Sequence, residues 1–130
     1  MKRPPAVLIA DRSRLAANLY RLLLAPTGLS LMIRQRAGEA LLEVRRGARV
    51  DLMLLNSNSI GNDAQALVEA LESRPDLRRI RKILIAGPSR ADRRVVEALS
   101  GITGLAVVER PFHPEDLMRE VQSCLGRGNP

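Results

Sequence analysis

The stretch Ala6-Val7-Leu8-Ile9-Ala10-Asp11 (AVLIAD) is a short, wholly apolar run that an aspartate ends. Such a run is typical of a strand buried on both faces of a parallel sheet, because neither face of that strand meets water. Four more short runs along the chain predict strands, at residues 29–34, 50–55, 83–86 and 105–109.

Segments with helical periodicity separate these predicted strands. The first helix is predicted to follow Ser13, a good N-cap residue, and to end at Pro26-Thr27-Gly28. Its predicted inner stripe consists of Leu15, Leu19, Leu22 and Leu23. Further helices are predicted at 37–46, between Asp63 and Pro75, at 92–99, and from Pro114 onward.

Alternating strands and helices of this size predict an α/β fold: one doubly wound, five-stranded parallel sheet with helices on both faces. We expect a single domain over residues 6–125, with an N-terminal tail at 1–5 and a C-terminal tail at 126–130. A chain of 130 residues can bury enough surface to fold without disulfides or metal.

The composition excludes several classes of protein. Cys124 is the only cysteine and His113 the only histidine, which excludes a disulfide framework and a metal site rich in cysteine or histidine. The apolar runs are too short to cross a bilayer, and Asp11 ends the first of them too early for a secretion signal. We therefore expect a cytoplasmic protein with no membrane span.

The charge is strongly basic. Lysine and arginine number 21 against 14 acidic residues, which gives a formal net charge of +7. A solvated surface accounts for this excess, and so does an anionic partner: nucleic acid, an acidic protein face or a membrane surface. Tyr20 and Phe112 are the only aromatic residues, which argues against recognition of single strands by base stacking.

Four of the predicted strands end at residues that could form a site. These residues are Asp11-Arg12, Asn56, Gly87-Pro88 and Arg110-Pro111. In open parallel sheets ligands bind beyond the carboxyl ends of the strands. The sequence therefore predicts that any functional site lies among these residues.

Three stretches of the chain resemble the bacterial response-regulator receiver domain. They are residues 7–13, residues 51–56 with the following 61–63, and residues 108–117, where Arg110-Pro111-Phe112 resembles the family's Lys-Pro-Phe segment. The resemblance covers about residues 6–125 and implies a flavodoxin-like (βα)5 fold and a place in phosphorelay signalling.

The resemblance also implies a chemistry that this chain departs from. In the family, an aspartate that ends the third strand accepts a phosphoryl group from a histidine kinase, and two acidic residues after the first strand help it to hold Mg²⁺. A Ser or Thr after the fourth strand and a Lys after the fifth contact the phosphoryl group. Here Asn56, Arg12, Gly87 and Arg110 stand at the phosphoacceptor, second acidic, hydroxyl and lysine positions, and only Asp11 remains of the acidic pair.

These departures predict a degenerate "pseudo-receiver", which is not an enzyme, needs no cofactor and acts as a protein-interaction module. We expect the Arg12 or Arg110 guanidinium to pair with Asp11 and fill the vacant metal position, although Arg12 directed into solvent is an equal alternative. The weakest alternative is a residual phosphoacceptor enzyme that uses a displaced nucleophile such as Asp63.

The predicted partner face lies around the fourth predicted helix and the fifth strand. It consists of Arg90, Arg93, Arg94, Val96 and Val107. Arginines there would attract a signalling protein with an acidic patch, and valines would supply a desolvated centre. The other arginine clusters, at 12–21 and 78–81, are interpreted as solvated surface. The alternative function is a basic nucleic-acid-binding regulator that uses these clusters, while the oligomeric state stays open.

Overall fold

The computed structural model describes residues 3–126, and the five strands form one parallel sheet. The strands are β1 (Ala6–Ala10), β2 (Ser30–Arg34), β3 (Leu52–Asn56), β4 (Arg81–Ala86) and β5 (Leu105–Glu109). Their spatial order is β2-β1-β3-β4-β5, which is the flavodoxin-like order. The predicted α/β fold is therefore confirmed.

Six α-helices cover the two faces of the sheet within the described residues. They are α1 (Arg14–Leu24), α2 (Ala37–Arg45), α3 (Ala64–Ser73), α4 (Pro75–Arg79), α5 (Arg90–Leu99) and α6 (Pro114–Cys124). Helices α1 and α6 pack on one face, and α2 to α5 pack on the other. Since no helix in this part of the chain is both long and apolar enough, none could cross a membrane.

The central strands are buried because their side chains alternate between two apolar layers. In β1, Val7 and Ile9 contact the layer of α1 and α6, while Leu8 and Ala10 contact the layer of α2 to α5. The same alternation runs through β3 and β4, so burial on both faces fixes the register of these strands. Because all five strands are parallel, their carboxyl ends meet at one edge of the sheet.

The inner stripe predicted for α1 was wrong at three of its four leucines, and only Leu23 is half-buried and packs against the core. Leu15, Leu19 and Leu22 are exposed, and the buried side chains of α1 are Ala17, Tyr20 and Leu24. Two apolar sets recur at helical spacing in this helix, and periodicity alone does not rank them. The second set turns inward because it carries Tyr20, whose hydroxyl reaches the sheet edge.

Smaller differences concern boundaries. Helix α4 was missed because Pro75, taken as a stop signal, occupies its first turn. Helix α5 begins at Arg90, two residues earlier than predicted, because Ser89 caps it. Strand β1 begins at Ala6, and residues 1–2 and 127–130 of the predicted tails lie outside the described residues.

Candidate functional site

The sheet places the predicted site residues along one edge. Asp11 follows β1, Asn56 ends β3, Gly87 follows β4 and Arg110 follows β5. They divide into two groups there. Asp11 contacts Asn56, while Gly87 and Arg110 lie around Asp92, which comes from the first turn of α5.

Asp11 is the centre of the first group, the Asp11 cluster. Its side chain is buried, with 2% of the residue exposed. Four donors bond its carboxylate: Tyr20 Oη at 2.6 Å, Asn56 Nδ2 at 2.9 Å, Asn58 Nδ2 at 3.0 Å and the Ser13 backbone amide at 2.9 Å. All four donors are uncharged, so the cluster holds one negative charge with dipoles rather than with a counter-ion.

Tyr20 is fixed as a donor by its surroundings. Burial, followed by the hydrogen bond to Asp11, raises the pKa of Tyr20 well above its usual value. The phenol therefore keeps its proton throughout the neutral range and donates a hydrogen bond to Asp11.

The Asn56 side chain has both of its ends engaged. Its Nδ2 donates to Asp11, and its Oδ1 accepts from the Asn58 backbone amide at 3.1 Å. The Ser59 hydroxyl donates to the Asn56 carbonyl at 2.7 Å, which closes the turn after β3. Asn56 is thus a structural member of the buried cluster, held on both sides of its amide.

Asp92 is the centre of the second group, the Asp92 cluster. Its carboxylate accepts hydrogen bonds from the Ser57 hydroxyl and, at 2.6 Å, from the Ser89 hydroxyl. Arg110 Nη2 lies 3.4 Å from Asp92 Oδ1. The hydrogen bond from Ser57, and after it the one from Ser89, lowers the pKa of Asp92 to about 2, so the carboxylate is ionised across the neutral range.

Because Gly87 has no side chain, this ion pair can occupy the space beside it. A Cβ added at Gly87 would lie 2.9 Å from Asp92 Oδ2 and 3.1 Å from Arg110 Nη2. Arg110 Nε is buried and has no hydrogen-bond partner among the described residues, so the contact with Asp92 is what anchors the guanidinium. A serine or threonine side chain at position 87 would collide with the pair.

The expected pairing of Asp11 with an arginine is wrong. Arg110 pairs with Asp92, and the Arg12 side chain is exposed and forms no ion pair within residues 3–126. Only the Arg12 backbone amide joins the site, by donating to Asn58 Oδ1 at 3.1 Å. The physical reason is that neutral donors already satisfy Asp11, whereas Asp92 offers Arg110 a partner that does not require burial of a second charge.

The sequence analysis missed the residues that complete both clusters. They are Tyr20, Ser57, Asn58 and Asp92. One local signal was present: Ser89 and Asp92 have the three-residue spacing of a capping box, and each side chain bonds the other residue's backbone amide. Tyr20 gave no comparable signal, because its contact depends on how α1 packs.

The residues at this edge do not fit the Mg²⁺ that the resemblance implies. Mg²⁺ requires oxygen ligands with free lone pairs, and the Asp11 carboxylate already receives four hydrogen bonds. Asn56 and Asn58 direct their amide nitrogens, which are not metal ligands, at that carboxylate. Within the described residues, no three side chains of His, Cys, Asp or Glu come together to hold a metal.

The remaining predicted residues lie away from both clusters. Asp63 is exposed at the start of α3, where its side chain makes no capping hydrogen bond in the described structure. On the predicted partner face the three arginines are exposed, Val96 is half-buried and Val107 is exposed. These positions are Arg90, Arg93, Arg94, Val96 and Val107. Arg93 and Val96 line a cavity between α5 and β5, and Glu97 and Glu109 in its lining reduce the positive charge of this face.

Comparisons with known proteins rest on structure. No protein-family model and no curated protein sequence matches the chain. The chain superposes on the signal receiver domain of an HD domain-containing protein from Pseudomonas fluorescens with a TM-score of 0.79 and 17% identity, covering 98% of this chain and 91% of that one. For the signal receiver domain of a histidine kinase from Syntrophus aciditrophicus, the TM-score is 0.77 and the identity 24%, over 94% of this chain and 90% of that one.

A third solved structure was determined with a magnesium ion coordinated in its active-site cleft. It is the receiver domain of the sensor histidine kinase PA1611 from Pseudomonas aeruginosa, with a TM-score of 0.75, 16% identity, and coverage of 95% of this chain and 98% of that one. The match runs through nearly the whole chain in all three cases, and the strand order agrees with the flavodoxin-like arrangement. The chain therefore has the fold of response-regulator receiver domains.

Proposed function

We propose that this chain is a pseudo-receiver: a cytoplasmic, non-catalytic interaction module of bacterial phosphorelay signalling that works without being phosphorylated. The observation that carries the proposal is Asn56, a carboxamide at the end of β3 whose nitrogen and oxygen are both hydrogen-bonded inside the protein. A carboxamide is a poor nucleophile and forms no acyl phosphate. In this position Asn56 stabilises the fold through its hydrogen bonds.

The second half of the site supports the same proposal. Phosphoryl transfer depends on positioned cations and donors that neutralise charge on the phosphoryl oxygens. Here the Arg110 guanidinium and the Ser57 and Ser89 hydroxyls already bond the carboxylate of Asp92. An incoming phosphoryl group would have to displace an ionised internal carboxylate.

We propose that the partner binds the α5–β5 face. A protein with an acidic patch would meet Arg90, Arg93 and Arg94, and Val96 and Val107 would lie at the desolvated centre of the contact. Charge reversal at Arg93 and Arg94 should then slow association and flatten its salt dependence without changing the melting curve, because both side chains are exposed.

The phosphorylation proposal is tested with acetyl phosphate or beryllofluoride plus Mg²⁺, followed by intact mass and amide NMR spectra. The wild type should show no adduct and no saturable shift. Asn56→Asp restores a carboxylate at the same position and serves as the comparison variant. A stable adduct on the wild type, or Mg²⁺-dependent saturation of its spectra, would contradict the proposal.

A salt titration on duplex DNA tests the nucleic-acid alternative. Phosphate contacts release counter-ions, so genuine DNA binding weakens steeply as salt rises. We expect only weak binding, lost at physiological salt. Tight binding that reversal of Arg78, Arg79 and Arg81 abolishes would replace the interaction-module proposal with a nucleic-acid-binding function.

A further inference from the structure

A groove runs between helices α2 and α3, and it contains a cavity of about 300 Å³. Small residues leave this space: Gly38 on α2, and Ala66 and Ala70 on α3. A Cβ added at Gly38 would meet no other atom of the described residues within 4 Å. Leu41 and Leu67 line the cavity and are themselves buried, so its floor is apolar.

Leu42 lies on the α2 side of this groove and is 41% exposed. Among the described residues, the other exposed large apolar side chains lie on α1 and β5. A single exposed leucine is ordinary on a protein surface. Here, however, the projecting side chain lies beside an open apolar cavity, so one surface carries both a protrusion and a space that accepts one. Such a surface can pack against its own copy, because a twofold axis places each leucine over the other copy's cavity.

Opposite charges lie at the two ends of the groove. Helices α2 and α3 both begin at the carboxyl edge of the sheet, so Asp63 at the start of α3 and Arg45 at the end of α2 lie at opposite ends. From Gly38 to Arg45 the groove extends about 10 Å along the helix axis. Both charged side chains are exposed, and neither forms an ion pair within residues 3–126.

The charge around the groove is small compared with that of the whole chain. Residues 37–46 and 63–73 contain five carboxylates and two arginines, a formal charge of −3, whereas the chain carries +7. Two of these carboxylates pair with arginines of neighbouring elements, which brings the patch to about −1. Two copies of a basic chain repel one another where their arginine-rich faces meet. That repulsion does not oppose contact between two α2–α3 grooves.

We propose that this α2–α3 face (Gly38, Leu42, Arg45, Asp63, Ala66 and Ala70) binds a second copy of the chain about a twofold axis. Leu42 of each copy enters the cavity of the other, and the small residues let the helices approach closely. Arg45 of each copy pairs with Asp63 of the other. Because the charges at the two ends differ, only an antiparallel alignment of the two grooves brings unlike charges together, and a twofold axis produces that alignment.

This inference goes beyond the proposed function. The α2–α3 face and the α5–β5 face share no residue, so the dimer presents two copies of the α5–β5 face. Two linked sites bind a partner that is itself paired more tightly than one site does. The two proposals also fail separately: phosphorylation of the wild type contradicts the pseudo-receiver proposal and leaves the dimer proposal untouched, whereas a protein that stays monomeric contradicts the dimer alone.

The first test is sedimentation equilibrium of the full chain over a wide range of concentrations. We expect a reversible equilibrium between monomer and dimer, and dilution of ¹⁵N-labelled protein should shift the amides of α2 and α3. Leu42→Glu should weaken the dimer by at least about tenfold, because the leucine is the desolvated centre of the contact. If Leu42→Glu does not fold, Leu42→Ser replaces it.

A charge exchange tests the twofold alignment. Arg45→Asp and Asp63→Arg each turn two ion pairs into two contacts between like charges, so each variant alone should weaken the dimer by about tenfold. An equimolar mixture of the two variants should recover it. In the mixed dimer the introduced aspartate faces the introduced arginine, and the native Arg45 of one copy faces the native Asp63 of the other.

Arg14→Asp is the control, because it reverses an exposed arginine on α1, which packs on the opposite face of the sheet. It should leave the dimer unchanged, and unchanged melting curves establish that every variant folds. A wild type that is monomeric at all concentrations, or a dimer that tolerates Leu42→Glu, would overturn the inference. Absence of recovery in the mixture would rule out the twofold pairing. A monomer whose α2 and α3 amides shift with a basic amphipathic peptide would assign the groove to another protein.

Discussion

Two aspartates lie at the same edge of the sheet in different surroundings. Asp11 is 2% exposed and, among the described residues, accepts hydrogen bonds from uncharged donors alone. The side chain of Asp92 is 14% exposed, accepts from two serine hydroxyls and contacts Arg110. The Arg110 side chain in turn is 39% exposed.

The difference shows how burial selects the partner of a charge. A deeply buried carboxylate bonded by dipoles removes one charge from water, and an arginine in the same place would remove two. A carboxylate nearer the surface accepts an arginine whose guanidinium still meets solvent, and such a pair contributes little energy by itself. Hydrogen bonds and an ion pair within the protein therefore occupy the polar groups in both halves of the site. Neither metal binding nor nucleophilic attack requires these bonds.

The largest effect should come from Asn56→Asp. The change replaces the donor at 2.9 Å from Asp11 with a second carboxylate, so a hydrogen bond is exchanged for repulsion between like charges. We expect a loss of about 3 kcal/mol in the free energy of unfolding at neutral pH, as for an unpaired buried charge. Denaturant unfolding of both proteins measures the difference.

The control for this change is Asn58→Asp. Asn58 also donates to Asp11 but is half-buried, so solvent should screen part of the repulsion. Its cost in the free energy of unfolding should therefore be smaller than that of Asn56→Asp. An Asn56→Asp protein as stable as the wild type at neutral pH would mean that the Asp11 cluster is open to water.

Tyr20→Phe should have the next largest effect. It removes the 2.6 Å bond to Asp11 and leaves a buried carboxylate oxygen with one donor fewer. We expect a loss of about 2 kcal/mol, the scale of a hydrogen bond to a charged group. Thermal or denaturant unfolding at neutral pH measures it.

Alkaline pH provides an independent check on Tyr20. Its pKa is raised in the folded protein, so its contribution to stability is complete below the unfolded pKa near 10.0 and is lost as the pH rises above it. The stability difference between the wild type and Tyr20→Phe should therefore narrow above that pH. A constant difference would contradict the assigned hydrogen bond.

Asp92→Asn should have a smaller effect with a different pH dependence. The pKa of Asp92 is lowered from 3.8 to about 2, so its contribution is present above the unfolded value and disappears as the pH falls through the folded one. We expect the wild type to lose about 1 to 2 kcal/mol between about pH 4 and pH 2 from this group, with its partial exposure reducing the value.

Asp92→Asn should lack that part of the acid transition. Its free energy of unfolding at neutral pH should be lower than that of the wild type by a similar amount. Asp76→Asn is the matched control, because Asp76 also has a lowered pKa but its side chain is exposed, where it pairs with Arg74. An acid transition identical in the wild type and Asp92→Asn would show that the Asp92 cluster does not hold a bound carboxylate.

The sequence predicted where the site lies better than it predicted which side chains contact one another there. Strand ends are local features, and the apolar run that Asp11 closes located the edge correctly. The partners of Asp11 and Asp92 depend on packing between distant elements: Asn56 is 45 residues from Asp11, and Ser57 is 35 residues from Asp92. The inner face of α1 was mistaken for the same reason, because the four leucines formed a regular pattern while the Tyr20 bond that fixes the orientation has no sequence signature.

The smallest effect should come from Gly87→Ala. The added Cβ meets the ends of two side chains, Asp92 and Arg110, rather than backbone, so both can move by a few tenths of an ångström. We expect a loss below about 1 kcal/mol, the scale of a partly exposed ion pair. The informative measurement is the NMR titration of the Asp92 carboxyl, because its hydrogen bonds to Ser57 and Ser89 hold its pKa down. Displacement of the carboxylate should raise that pKa, while Gly38→Ala, at a glycine with open space around it, should leave it unchanged. If Gly87→Ala also left the Asp92 titration unchanged, the space beside Gly87 would not be what positions the ion pair.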